Sequence, residues 1–117
     1  MKELLLDMLN RLPGALGAAV VGPDGLAVAS STIRPGVNME VASAETIHVV
    51  KRTGWTPDGE AQEPPDEIAL TSRTRLTVLR ALGSGYFLCL VTGPETIPGQ
   101  ARYEAWRAGQ KLREVLG

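Results

Sequence analysis

Leu9-Asn10-Arg11-Leu12-Pro13-Gly14-Ala15-Leu16-Gly17-Ala18-Ala19-Val20-Val21-Gly22-Pro23-Asp24-Gly25-Leu26-Ala27-Val28-Ala29-Ser30 carries the end of a helix, a stop, a strand, a tight turn and a second strand. Upstream, Leu5, Met8, Leu9 and Leu12 follow the i, i+3, i+4, i+7 spacing of a one-faced helix, with Asp7, Asn10 and Arg11 between them. Pro13-Gly14 stops it. In Gly22-Pro23-Asp24-Gly25, Pro and Asp suit the turn centre and Gly supplies a positive φ, so residues 16–21 and 26–30 form an antiparallel hairpin. Gly17, Ala18 and Ala19 leave room for a helix to lie close against the first strand.

Downstream of the loop Arg34-Pro35-Gly36-Val37, Asn38 is placed to cap a second helix that runs to about Thr53 and stops at Gly54. At 100° per residue, Met39, Ala42, Ser43, Thr46, Val49 and Val50 share one face, assigned to the sheet. Val41, Ala44 and His48 share the opposite face, flanked by Glu45, Lys51 and Arg52. Small and branched residues on an outward face, bordered by charge, suit a helix-helix contact across a two-fold axis. The competing reading is an ordinary exposed helix face.

Residues 55–66 are acidic and proline-rich without periodicity, which reads as an exposed loop. Three strands follow, at 67–70, 75–82 and 86–91. The last is apolar on both alternating sets, so it belongs in the sheet centre with helices on both faces. The short run Glu67-Ile68-Ala69-Leu70 has one obvious neighbour, so it is an edge whose free backbone groups invite another chain. Pro98 opens a final helix with a core stripe at Ala101, Ala105, Ala108, Leu112, Val115 and Leu116. Tyr103 and Trp106 point the other way, toward a neighbouring helix or a second partner surface. The order α-β-β-α-β-β-β-α gives an α+β layered fold in a single domain, 1–117, with one five-stranded antiparallel sheet between helices.

The chain has 12 Lys and Arg against 13 Asp and Glu, which argues against phosphate-driven nucleic-acid binding. No apolar run reaches the roughly 20 residues of a membrane span, and the charged start is unlike a signal peptide, so no integral membrane segment and a cytoplasmic location are expected. One cysteine and one histidine cannot assemble a Cys/His metal site, and Cys89, inside an apolar strand, reads as a buried small hydrophobe. His48 has no adjacent nucleophile, no phosphate-cradling glycine motif occurs, and the Glu60/Glu63 and Asp66/Glu67 carboxylates fall in the acidic segment, where solvent leaves them untuned. Arg73, Arg75 and Arg80 gather about the strand hairpin as surface or salt-paired residues. The expectation is a protein that is not an enzyme, with no catalytic residue, metal or cofactor.

The Leu9–Gly14 stop leading into Gly17–Ser30 resembles the opening of the Roadblock/dynein light chain family, and Gly99-Gln100-Ala101-Arg102-Tyr103 is similar to the start of that family's last helix. The likeness is to its prokaryotic, MglB-like, GTPase-partner type. It implies a profilin-like Roadblock fold and a homodimer that joins its sheets across a two-fold axis with the second helices side by side. It also implies a small Ras-like GTPase as partner, regulated by repositioning of the GTPase's own residues. On this reading Val41, Ala44, Glu45, His48, Lys51 and Arg52, with Glu67, Ile68, Ala69 and Leu70, form the dimer or partner interface. The alternative is a small-molecule-sensing domain of profilin-like or PAS-like kind, which needs an internal pocket with convergent polar groups.

Overall fold

Leu5, Met8 and Leu9 are buried on one side of α1 (Lys2–Asn10), and Gly14, at φ +83°, turns the chain into β1 (Ala15–Val21). The computed structural model describes residues 1–57 and 63–117. After β1 come β2 (Ala27–Thr32), α2 (Met39–Lys51), β3 (Glu67–Thr71), β4 (Leu76–Gly83), β5 (Tyr86–Thr92) and α3 (Pro98–Leu116). At the β1–β2 turn the Gly25 N–H donates to Gly22 O at 2.9 Å and the Leu26 N–H to Asp24 Oδ1 at 3.0 Å, with Gly25 at φ +83°.

The strands form one antiparallel sheet in the order β2-β1-β5-β4-β3. The hairpin β1–β2 and the β3–β4–β5 meander thus meet at β1–β5, and among the described residues β2 and β3 are the two free margins. On one face α1 and α3 close over Ala18, Val20, Val78, Leu88 and Leu90. On the other, α2 closes over Ala19, Val21, Phe87, Cys89 and Val91. Burying both alternating sets of β5 explains its uninterrupted apolar sequence.

α2 starts where Asn38 Oδ1 accepts the N–H groups of Glu40 and Val41, at 3.0 and 3.2 Å, two donors that the first helical turn leaves unpaired. Its approach to β1 depends on Gly17. A Cβ there would lie 3.0 Å from Met39 Sδ and 3.1 Å from the Ser31 carbonyl oxygen.

Four expectations need correction. Trp55, placed by sequence in the exposed 55–66 loop, is buried and meets Phe87 edge to face with ring centroids 5.4 Å apart, because the apolar floor beyond the end of α2 needs a large side chain. Asp58 and Glu60 of that loop lie outside the described residues. Glu67 is not part of a solvated acidic segment: it opens β3, and its carboxylate accepts from Arg102 and pairs with Arg80 at 3.8 Å. Ile47 is buried beside the β1–β2 turn although the helical stripe omits it. Val115, assigned to the core, is 57% exposed, lying at the border of the α3 stripe whose last turn packs through Leu112 and Leu116 instead.

Candidate self-association and partner interface

The two faces of the sheet are covered unequally. α1 packs against β1 and β2 while α3 packs against β4 and β5, so two helices share one face. Among the described residues the helix on the opposite face is α2, which lies over β1, β2 and β5. The β4–β3 side of that face is left with a narrow cleft of about 90 Å³, walled by Ala42, Glu45 and Val49 of α2 and by Leu70 and Thr77 of the sheet. Leu70 is 42% exposed and Val41, on the outer side of α2, 52%.

The β3 margin adds unpaired backbone. Ala81 N–H donates to Asp66 O at 3.0 Å and Ser72 N–H to Arg75 O at 2.8 Å, so residues 66 and 72 turn their backbone groups toward β4. In an antiparallel ladder these groups alternate from residue to residue. Ile68 and Leu70 therefore face β4, and Glu67, Ala69 and Thr71 direct their N–H and C=O groups to the free margin. The side chains alternate the other way. Ile68 and Leu70 stand opposite Leu79 and Thr77 on the α2 face, while Glu67 and Ala69 share the α3 face with Arg80 and Val78.

The sequence-expected residues divide on this frame. Val41, Glu45, His48 and Arg52 lie on the outward side of α2, with Glu45 leaning toward the β3 cleft. Ala44 lies on the opposite flank. A Cβ placed on Gly25 would be 3.7 Å from the Ala44 Cα, so that flank already adjoins the β1–β2 turn. By helical position Lys51 shares it. Ala42 and Val49, read from sequence as sheet-facing, are only half buried and border the cleft, as do Leu70 and Thr77. Helical periodicity found the buried stripe but could not say which flank of it the sheet leaves bare.

Tyr103 and Trp106 are exposed on α3 with ring centroids 6.1 Å apart. They cover each other in part, and among the described residues no other helix covers them.

The buried hydroxyls of Ser43, Thr46, Thr92 and Thr96 donate to the backbone oxygens of Met39, Ala42, Leu76 and Pro13 respectively, so they are already engaged within the fold. Among the described residues no buried side-chain polar atom is left to meet a ligand, and no cluster of metal-ligating side chains occurs. Burial pushes the Cys89 thiol up to about 11, against a smaller opposing effect of the Thr46 hydroxyl, and keeps it protonated and inert at neutral pH. No described helix is long and apolar enough to cross a membrane.

Sheet order, helix placement and element order define the Roadblock/LC7 fold. Among solved structures the chain is similar to a Roadblock/LC7 domain from Streptomyces avermitilis, at TM-score 0.79 and 17% identity over 99% of this chain and 97% of that one. It is also similar to MglC from Myxococcus xanthus, at TM-score 0.71 and 24% identity over 96% and 95%. A third likeness is to the gliding protein mglB from Thermus thermophilus, at TM-score 0.74 and 16% identity over 97% and 85%. No family model matches the sequence, and no curated protein matches it.

Proposed function

We propose that the chain is a homodimeric scaffold that binds and regulates a small Ras-like GTPase, acting in the cytoplasm as a signalling component with no catalysis of its own. The observation that carries this reading is the coincidence of a free β3 margin with a bare strip of sheet beside α2. A second copy brought in by a two-fold axis at Ala69 supplies both missing parts at once. Its β3 pairs with the outward groups of Glu67, Ala69 and Thr71, and its α2 closes the strip bounded by Val49 and Leu70.

Charge supports the antiparallel arrangement. With Ala69 opposite its own copy, the exposed Arg73 comes beside the partner's Asp66. Likewise Glu40 and Glu45 lie in the first half of α2 while His48, Lys51 and Arg52 lie at its end, so antiparallel helices set unlike charges together. A structure of similar fold is described as MglB with tetrameric arrangement, which supports assembly as a mode open to this fold. The GTPase is what the sequence resemblance implies. The paired α2 helices, presenting Val41, Glu45, His48 and Arg52 twice over, are the platform for it, and Tyr103 with Trp106 on α3 is a second, separate contact surface.

The test is titration of the purified chain with small Ras-like GTPases of the same cell, each loaded with GDP or with a non-hydrolysable GTP analogue, followed by fluorescence anisotropy. Binding to one nucleotide state, weakened tenfold or more by Val41→Glu, is expected. Absence of binding to every such GTPase in both states refutes the reading.

A further inference from the structure

The opposite margin of the sheet is also open, and its sequence is unusual for an edge. From Leu26 to Ile33 the chain has no charged residue and no proline, two of the devices that keep an edge strand from pairing, and its one register irregularity lies at the Ala27–Ala29 end, away from Ser30. Leu26 and Val28 are 67% and 50% exposed. We propose that β2 is a second self-association edge, at which two copies of this chain form an antiparallel β2–β2 pair across a two-fold axis at Ser30.

The register follows from the backbone. Ile33 N–H donates to Leu16 O at 2.9 Å, so Ile33 faces β1, and by alternation Ser31 and Ala29 do as well. Val28, Ser30 and Thr32 turn their N–H and C=O groups outward, Val28 lying at the irregularity where the β1–β2 register shifts. Centring on Ser30 sets each Val28 against the partner's Thr32, a favourable cross-strand pair, and engages all three outward residues of both copies.

The charges that bound the strand fix the direction. Asp24 precedes it and Arg34 follows it, both exposed. Asp24 uses Oδ1 to accept the Leu26 N–H, and Arg34 makes no ion pair among the described residues. Antiparallel pairing brings Arg34 of each copy to the end of the strand where the partner's Asp24 lies, while parallel pairing sets like beside like. The occupant is thus a second copy in reversed direction. This proposal rests on the β3 dimer proposed above only for the length of the assembly. With both margins active, two alternating two-fold contacts give an open chain of dimers.

Sedimentation of the intact chain from micromolar to millimolar concentration tests it, with Ser30→Pro, Ser30→Lys, Ala69→Pro and the double variant Ser30→Pro/Ala69→Pro. Wild type is expected to exceed a dimer and grow with concentration. Ser30→Pro, which removes an outward donor, and Ser30→Lys, which sets like charges face to face at the axis, should both stop at the dimer. Ala69→Pro should also stop at a dimer, now joined by β2, and the double variant should halve in mass to a monomer. Ser30→Lys keeps the backbone donor and decides the question if Ser30→Pro loses its sheet by circular dichroism. Self-association unaffected by both Ser30 variants, or a wild-type dimer that Ala69→Pro dissolves to monomer and neither Ser30 variant does, overturns the proposal; a wild-type dimer that the Ser30 variants dissolve and Ala69→Pro does not keeps it and overturns the β3 reading instead. Where the proposal falls, the β3 reading stands or falls separately, on whether Ala69→Pro yields monomers.

Discussion

Arg102 donates from Nε at 3.0 Å and Nη2 at 2.8 Å to the same oxygen, Oε2 of Glu67, and so ties α3 to the strand at the open sheet margin. The pair holds β3 on its α3 side, where that strand has only β4 as a backbone neighbour. Its effect is local. Arg102→Ala should leave global stability nearly unchanged, as solvent screening makes exposed ion pairs weak. Hydrogen exchange of the Ile68 and Leu70 amides should quicken all the same. Unchanged exchange at those amides would show that the margin does not depend on this contact.

Trp55 closes the α2-side core from beyond the helix end, packed on Phe87. Trp55→Ala removes a large buried side chain and should cost about 3–5 kcal/mol in urea unfolding. A loss under about 1 kcal/mol would return Trp55 to the solvated loop in which sequence placed it.

Gly17 permits the α2 approach, since an added Cβ meets Met39 Sδ at 3.0 Å and the Ser31 backbone oxygen at 3.1 Å. The sulfur can move but the carbonyl belongs to the sheet. Gly17→Ala should therefore destabilise by about 1–3 kcal/mol, the usual cost of overpacking. A neutral change in the denaturation midpoint would contradict the close packing of α2 on β1.

The Cys89 thiol titrates at about 11 in the fold against 9.0 for the free group, chiefly because burial disfavours the thiolate. The folded state thus holds its proton to higher pH than the unfolded state. The corresponding stability is fully present below 9.0 and is lost as pH rises from there to about 11. Cys89→Ala should flatten the decline of stability across that window, and in wild type a thiol reagent should label Cys89 at neutral pH only at the rate of unfolding. Rapid labelling of native protein would contradict its burial.

The sequence made much of this legible, for physical reasons. A one-faced helix, a Pro-Gly stop and the Gly22–Gly25 turn are local devices, and each acts where its residues stand. β5 announced its central place because both alternating sets are apolar. The Glu67–Leu70 margin was legible as a short strand after a long loop. What escaped depended on tertiary placement. Trp55 looks like a loop residue until Phe87 is set beneath it, and helical periodicity places Ala44 on an exposed face without showing that the β1–β2 turn lies beside it. The bare strip at Val49 and Leu70 arises from the lateral position of α2 on the sheet, which no periodicity encodes.

That difference separates two substitutions. Leu70→Arg puts a charge in the strip where a partner's α2 is proposed to lie and should shift self-association at the β3 margin at least tenfold toward monomer. Ala44→Arg, on the other flank of α2, should leave that association unchanged. Sedimentation of both in the Ser30→Pro background reads this directly, and the reverse order of effects would place the contact on the Ala44 flank.

Disulfide trapping at Ala69 tests the two-fold pairing most directly. Residues opposite each other in a hydrogen-bonded antiparallel pair have Cα atoms about 5.5 Å apart, inside the range of about 4.4–6.8 Å that a disulfide spans. Ala69→Cys, mildly oxidised at low concentration, is predicted to convert to a covalent dimer with unchanged circular dichroism, while buried Cys89 stays reduced. A chain that stays monomeric on a non-reducing gel, with its new thiol free and its fold intact, would contradict the β3 dimer and the scaffold built on it.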